Sequence, residues 1–147
     1  NLHAFYDDVF AEFAAIIAAK GLQVERQYED GIETYHTDTH LLHMAVSNLV
    51  SNAVKYTPDG GTLRFSSLTN DRHLIIEVAD SGIGIPEDEQ DQIFSKIFRA
   101  SNARENVPDG TGLGLYIVRE AIKVLGGNIT FTSTPGVGTT FVVELPK

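Results

Sequence analysis

The chain has no cysteine among its 147 residues, which excludes a disulfide framework and fits a reducing, cytoplasmic setting. It also lacks a long hydrophobic run. Apolar stretches such as Ala14 to Ala19 are far too short to cross a bilayer. The start Asn1-Leu2-His3, with Asp7 and Asp8 close behind, is no signal peptide, so this segment is expected to be soluble and to make no membrane contact of its own. Positive charge is scarce: 11 Lys and Arg against 20 Asp and Glu leave a net charge of −9. The few cations are scattered, which argues against nucleic acid as a partner. A small anion would need local donors or a bound cation here. None of the lysines follows a glycine, so no Walker A loop is present, and the dinucleotide fingerprint is absent too.

A chain of this length buries about two-thirds of its unfolded surface and needs no staple, so residues 1–147 are expected to form one domain. Val9, Phe13, Ile16 and Ile17 lie on one stripe of an N-terminal helix that ends at Lys20 and Gly21. Leu22 to Tyr28 and Ile32 to Tyr35 read as short strands joined through Glu29-Asp30-Gly31. Asp38 is an N-cap for a helix to about Lys55, whose buried stripe is Leu42, Val46, Leu49, Val50 and Ala53. Four alternating segments, around Leu63 and Phe65, Leu74 to Val78, Ile129 and Phe131, and Phe141 to Leu145, read as half-buried antiparallel strands. A last helix is expected to bury Leu113, Ile117, Ala121 and Val124 and to stop at Gly126-Gly127. The sum is an α+β fold, with helices over one face of a mixed, mostly antiparallel sheet.

Chemistry concentrates in a few stretches. In "DGTGLGL", Gly110, Gly112 and Gly114 precede a helix, where unpaired N–H groups and the helix dipole favour an anion. Taken alone, the pattern serves equally as a flexible helix start. Asn48 and Asn52 lie one turn apart on one helix face, continued by Lys55. Two amide oxygens there suit a hard cation such as Mg²⁺, or are simply solvated. In "ADSGIGIP", Asp80 ends a strand before Gly82 and Gly84, either as acceptor for an exocyclic amine beside a planar ring or as an ordinary Asp-Gly turn. The stretch Arg99 to Gly110 has no period and reads as a lid or a surface insertion.

In order, "NLVSNAVKYT", "DSGIGIP", "IFSKIFR", "GTGLGL" and "GTTF" resemble the N, G1, F, G2 and terminal Gly-Thr boxes of the ATP-binding catalytic domain of sensor histidine kinases, from about Val24 to Leu145. The resemblance implies the Bergerat-type two-layer α/β sandwich shared with gyrase, mismatch-repair and chaperone ATPases. It implies ATP and Mg²⁺ as cofactors, with Asn52 coordinating the metal and Asn48 assisting directly or through water. Lys55 and Tyr56 would approach the phosphates. Asp80 would accept the adenine amine, Gly82, Gly84 and Ile85 would shape the base pocket, and Thr139 would support Asp80 through water. Phe94, Phe98 and Arg99 would form the lid hinge, with Arg99 contacting the γ-phosphate. Gly110, Thr111, Gly112, Leu113, Gly114 and Leu115 would close over the triphosphate with their backbone N–H groups. Asn48, Lys55 and Arg99 would be the catalytic set.

The histidines, His3, His36, His40, His43 and His73, begin no His-Glu/Asp-x-x-Thr-Pro phosphoacceptor pattern, and the N-terminal helix is too short for the family's dimerising hairpin. The implied partner is therefore a dimerisation and histidine phosphotransfer domain, upstream in the same polypeptide or separate, and through it the receiver domain of a response regulator. Rival readings are an ATP-hydrolysing clamp, a nucleotide sensor that transfers nothing, and a serine-directed relative that inhibits sigma factors. The clamps place a glutamate base where this chain has Asn48, and an amide takes no proton near neutral pH.

Overall fold

The computed structural model describes residues 1–96, 99–106 and 114–147. Helix α1 (Leu2–Glu12) opens where the Asn1 side chain accepts the Ala4 N–H at 2.9 Å. The expected single N-terminal helix is interrupted at Phe13, whose φ of −109° and ψ of 3° leave the helical well. Helix α2 (Ala14–Lys20) then ends at Gly21, left-handed at φ 61°. The break changes what is buried: Leu2, Tyr6, Val9 and Phe10 enter the core, Phe13 and Ile17 pack at its margin, and Ile16 is left exposed. At the centre of this packing the buried Tyr6 hydroxyl meets Ser67 Oγ at 3.0 Å, so its one polar atom is satisfied.

Strand β1 (Gln23–Tyr28) forms as expected, but residues 32–35 form no strand. Their polar groups are used elsewhere: Leu2 N–H donates to the Glu33 carbonyl at 3.0 Å and the Tyr35 hydroxyl to the Pro146 carbonyl at 2.6 Å. Ile32 and Tyr35 meanwhile pack against the core, making the segment a strap across the domain. Asp38 Oδ1 accepts from the N–H groups of His40 and Leu41 and starts α3 (Thr39–Tyr56). The stripe Leu42, Val46, Leu49, Val50 and Ala53 is buried throughout, which leaves the face bearing Asn48, Asn52 and Lys55 for other uses. Lys20 Nζ donates to the carbonyls of Val54 and Lys55 at 2.6 and 3.2 Å, occupying groups that a helix C-terminus leaves unpaired.

Strands β2 (Thr62–Thr69), β3 (His73–Asp80), β4 (Asn128–Thr134) and β5 (Gly138–Pro146) complete a five-stranded sheet of order β1-β2-β3-β5-β4. The β1–β2 pairing is parallel and the others antiparallel. Register aligns Phe65, Val78, Phe141 and Phe131 across neighbouring strands, and this row underlies the helices. The result is the expected two-layer α+β sandwich. The same register sets Asp80 opposite Thr139, at the sheet end where the site lies. A 3-10 turn (Glu87–Gln92) and a short α4 (Ser101–Asn106) lead towards α5 (Gly114–Val124).

Helix α5 is rotated from its expected face. Val118, Ala121 and Ile122 are buried, whereas Val124 is 73% exposed; Leu113 lies outside the described residues. Ile117 and Leu115 line a cavity, Leu115 packing against the core as well, so the helix carries two apolar faces where periodicity suggested one. No helix among the described residues is long and apolar enough to cross a membrane.

Candidate functional site

A cavity of about 270 Å³ opens between α3, the end of β3, the start of β5, residues 99–103 and the first turns of α5. Of the residues expected at the site, Asn48, Asn52, Lys55, Tyr56, Asp80, Gly84, Ile85, Arg99, Gly114, Leu115 and Thr139 all line it. They come from five separate parts of the chain. Gly82 lies just outside the lining and serves Asp80 through its backbone. Phe98, Gly110, Thr111, Gly112 and Leu113 lie outside the described residues, as does the expected lid from residue 107 onward.

One end of the cavity is built around a carboxyl group. Asp80 Oδ1 accepts the Gly82 N–H at 2.8 Å and the Thr139 N–H at 3.3 Å, and Oδ2 is left to accept from a ligand. Burial pushes this carboxyl up from 3.8 to about 6, against the opposite pull of the two N–H groups. Thr139 thus reaches Asp80 through its backbone, while its hydroxyl meets Ser133 Oγ at 2.8 Å. The glycines beside Asp80 are sterically required. Gly84 has φ 69°, and a Cβ there would sit 2.2 Å from the Thr134 carbonyl oxygen. At Gly82 a Cβ would come within 2.7 Å of both the Tyr56 carbonyl oxygen and Asp80 Oδ1. Ile83, Ile85, Ile93 and Phe141 supply apolar walls.

The other end is polar. Asn48 Nδ2 donates to the Met44 carbonyl one turn back at 2.6 Å, which turns Oδ1 outward. A Cβ placed on Gly114 would lie 3.3 Å from Asn48 Oδ1 and 3.8 Å from Asn52 Oδ1, so two hard oxygen acceptors converge on the space that the glycine leaves open at the start of α5. Lys55 stands one turn further along α3 and is exposed. Arg99 Nη2 donates to the Ala103 carbonyl at 3.2 Å, folding the guanidinium along the cavity wall.

Several lining residues escaped the sequence reading, among them Ser51, Ile93, Ala100, Asn102 and Ala103. Ser51 had a signal, since it shares the α3 face with Asn48, Asn52 and Lys55. Ala100, Asn102 and Ala103 had none, because the stretch after Arg99 lacks a period. It is nevertheless helical at its start, because Glu89 accepts from the Ser101 N–H and hydroxyl at the N-terminus of α4. Asn102 Nδ2 also ties that turn to the Gly84 carbonyl at 2.9 Å.

A partly buried carboxylate facing apolar walls at one end, with amide oxygens at the other, on a two-layer sandwich, is an arrangement suited to a nucleotide. Residues 37–147 match the family described as histidine kinase-, DNA gyrase B-, and HSP90-like ATPase. The chain belongs to that family, and within it to the ATP-binding catalytic domains of sensor histidine kinases. It is 41% identical over 110 residues to the sensor-like histidine kinase SenX3 of Mycolicibacterium smegmatis, covering 75% of this chain and 29% of that protein. The fold superposes on the nucleotide-free catalytic domain of histidine kinase ThkA with a TM-score of 0.86 at 28% identity, covering 100% of this chain and 95% of that one. It is similar also to full-length ShkA in complex with AMPPNP, with a TM-score of 0.84 at 25% identity, over 99% of this chain and 30% of ShkA. The chain spans well under half the length of the curated relatives it matches.

Proposed function

We propose that residues 1–147 form one domain that binds Mg-ATP and presents the γ-phosphoryl group to a histidine on a dimerisation and phosphotransfer domain, from which a response-regulator receiver then takes it. The observation that carries this reading is the two-ended cavity. Asp80 accepts the 6-amino group of adenine through Oδ2, and Gly84 and Ile85 flank the ring. Tyr56 and Lys55 lie along the path towards the phosphates. The AMPPNP complex of ShkA supports the same ligand class here.

The convergence of Asn48 Oδ1 and Asn52 Oδ1 beside Gly114 fits a hard cation, with Asn52 as ligand and Asn48 assisting. When bound, Mg²⁺ neutralises phosphate charge and orients the chain of phosphates. Phosphoryl transfer asks mainly for position and charge neutralisation, which Lys55 and Arg99 add from the protein. The apolar walls beside Asp80 shelter the base end of the cavity from water. Asn48 has no basic atom to deprotonate a water, and its nitrogen is already bonded to Met44, so the geometry favours an external nucleophile over hydrolysis.

Incubated alone with Mg-ATP, the chain should bind nucleotide and release phosphate very slowly. Rapid phosphate release by the purified chain would replace this reading with a hydrolytic clamp.

A further inference from the structure

Ser133 lies on β4, outside the cavity lining, and its hydroxyl is shared among three neighbours. It accepts the Ile85 N–H at 2.8 Å, meets Thr139 Oγ1 at 2.8 Å and reaches the Gly138 carbonyl at 3.2 Å. Ile85 walls the cavity, and Thr139 is the residue whose N–H contacts Asp80. One further bond links the same place to the 3-10 turn: Gln90 Nε2 donates to the carbonyls of both Ile85 and Ser133 at 3.1 Å. The turn from Ile83 to Ile85 is thereby fastened to the β4–β5 hairpin, where Gly136 N–H also donates to the Ile83 carbonyl at 2.8 Å.

A hydroxyl has one proton and two acceptor sites. With one site taken by the Ile85 N–H, the proton goes either to the Gly138 carbonyl or to Thr139 Oγ1. In the first arrangement Thr139 must donate to Ser133 and offers a ligand only an acceptor. In the second, the Thr139 proton is free to point to the base. Ser133 therefore bears on both the position of the Ile85 backbone, a wall of the cavity, and the hydrogen-bonding role of Thr139, which contacts Asp80.

We propose that Ser133 is a positioning residue for adenine recognition, acting through Ile85 and Thr139 without touching the nucleotide. The inference rests on the reading of Asp80 as the adenine acceptor. It is tested by calorimetric titration of the intact chain, wild type, Ser133→Ala and Ser133→Thr, with ADP and with the diphosphate of purine riboside, which lacks the 6-amino group.

The wild type should prefer ADP over the deamino compound by roughly tenfold or more. Ser133→Ala should weaken ADP binding about fivefold and change deamino binding much less, compressing the preference; Ser133→Thr, which keeps a hydroxyl, should restore it. Equal loss for both compounds in Ser133→Ala would mean a merely structural role and overturn the inference, as would unaltered binding of both. A wild type that binds both compounds equally would fail at the earlier step, the adenine reading of Asp80. Thermal midpoints of Ser133→Ala and Ser133→Thr well above the titration temperature confirm that the comparison is made between folded proteins.

Discussion

Acidification should loosen adenine nucleotide binding through one group, Asp80. Its carboxyl is lifted by burial from 3.8 to about 6, with the Gly82 and Thr139 N–H groups pulling the other way. A displacement of this size corresponds to about 3 kcal/mol in favour of the protonated form in the folded chain. Because the folded value exceeds the unfolded one, the folded state binds more protons between 3.8 and about 6. The associated stability is complete below 3.8 and is lost as pH rises through about 6, so the ionised carboxyl is a strained group near neutral pH. A ligand amine donating to Oδ2 offsets part of that strain and binds best to the ionised form. ADP affinity should therefore rise by roughly tenfold from about pH 5 to about pH 8, with a midpoint near 6. Asp80→Asn should flatten this profile, weaken ADP at neutral pH and raise the thermal midpoint there, since the neutral amide oxygen still accepts the Gly82 N–H. Titration of the nucleotide's own phosphates contributes equally to both proteins, so the difference between their profiles isolates Asp80. Identical pH profiles for wild type and Asp80→Asn would mean that Asp80 does not carry the pH dependence of binding.

Three further substitutions separate the parts of the site. Gly84→Ala forces a Cβ to within 2.2 Å of the Thr134 carbonyl at φ 69°, and should cost about 2 kcal/mol or more in chemical denaturation together with ADP binding. Asn52→Ala should leave ADP binding without metal nearly intact but abolish most of the gain in ATP affinity on adding Mg²⁺; calorimetry with and without the metal reads this directly. Gly114→Ala places a methyl group 3.3 Å from Asn48 Oδ1 and 3.8 Å from Asn52 Oδ1, so the Asn48 amide must shift by a few tenths of an ångström. It should keep or slightly raise the melting temperature, because alanine favours a helix, while reducing Mg-ATP affinity several-fold.

What the sequence made legible was whatever local chemistry decides. Asp38 and the apolar stripe of α3 determined that helix, and the helix period alone put Asn48, Asn52 and Lys55 on its free face. Alternation located β2 to β5. Tertiary demands overrode the local pattern elsewhere. Residues 32–35 have strand-like composition, yet their backbone and side chains bond to α1 and the end of β5, so they cross the domain as a strap. Ile16 and Val124 fit apolar stripes but stay exposed, because the break at Phe13 and the cavity beside Ile117 turn each helix about its axis. The cavity's less obvious parts, Ser133 behind its wall and Asn102 on α4, are defined by hydrogen bonds between segments distant in sequence. No periodicity announces such contacts.

Delivery of phosphoryl groups from this domain to a histidine on another domain is read directly from transfer in trans. The chain is incubated with labelled Mg-ATP and the purified cognate dimerisation and histidine phosphotransfer domain. Label should accumulate on that domain as an acid-labile, base-stable phosphohistidine, slowly, because free encounter replaces the high effective concentration of a covalent linker, and the chain alone should stay almost unlabelled. Tight nucleotide binding with no label on the cognate domain would instead make this domain a nucleotide sensor.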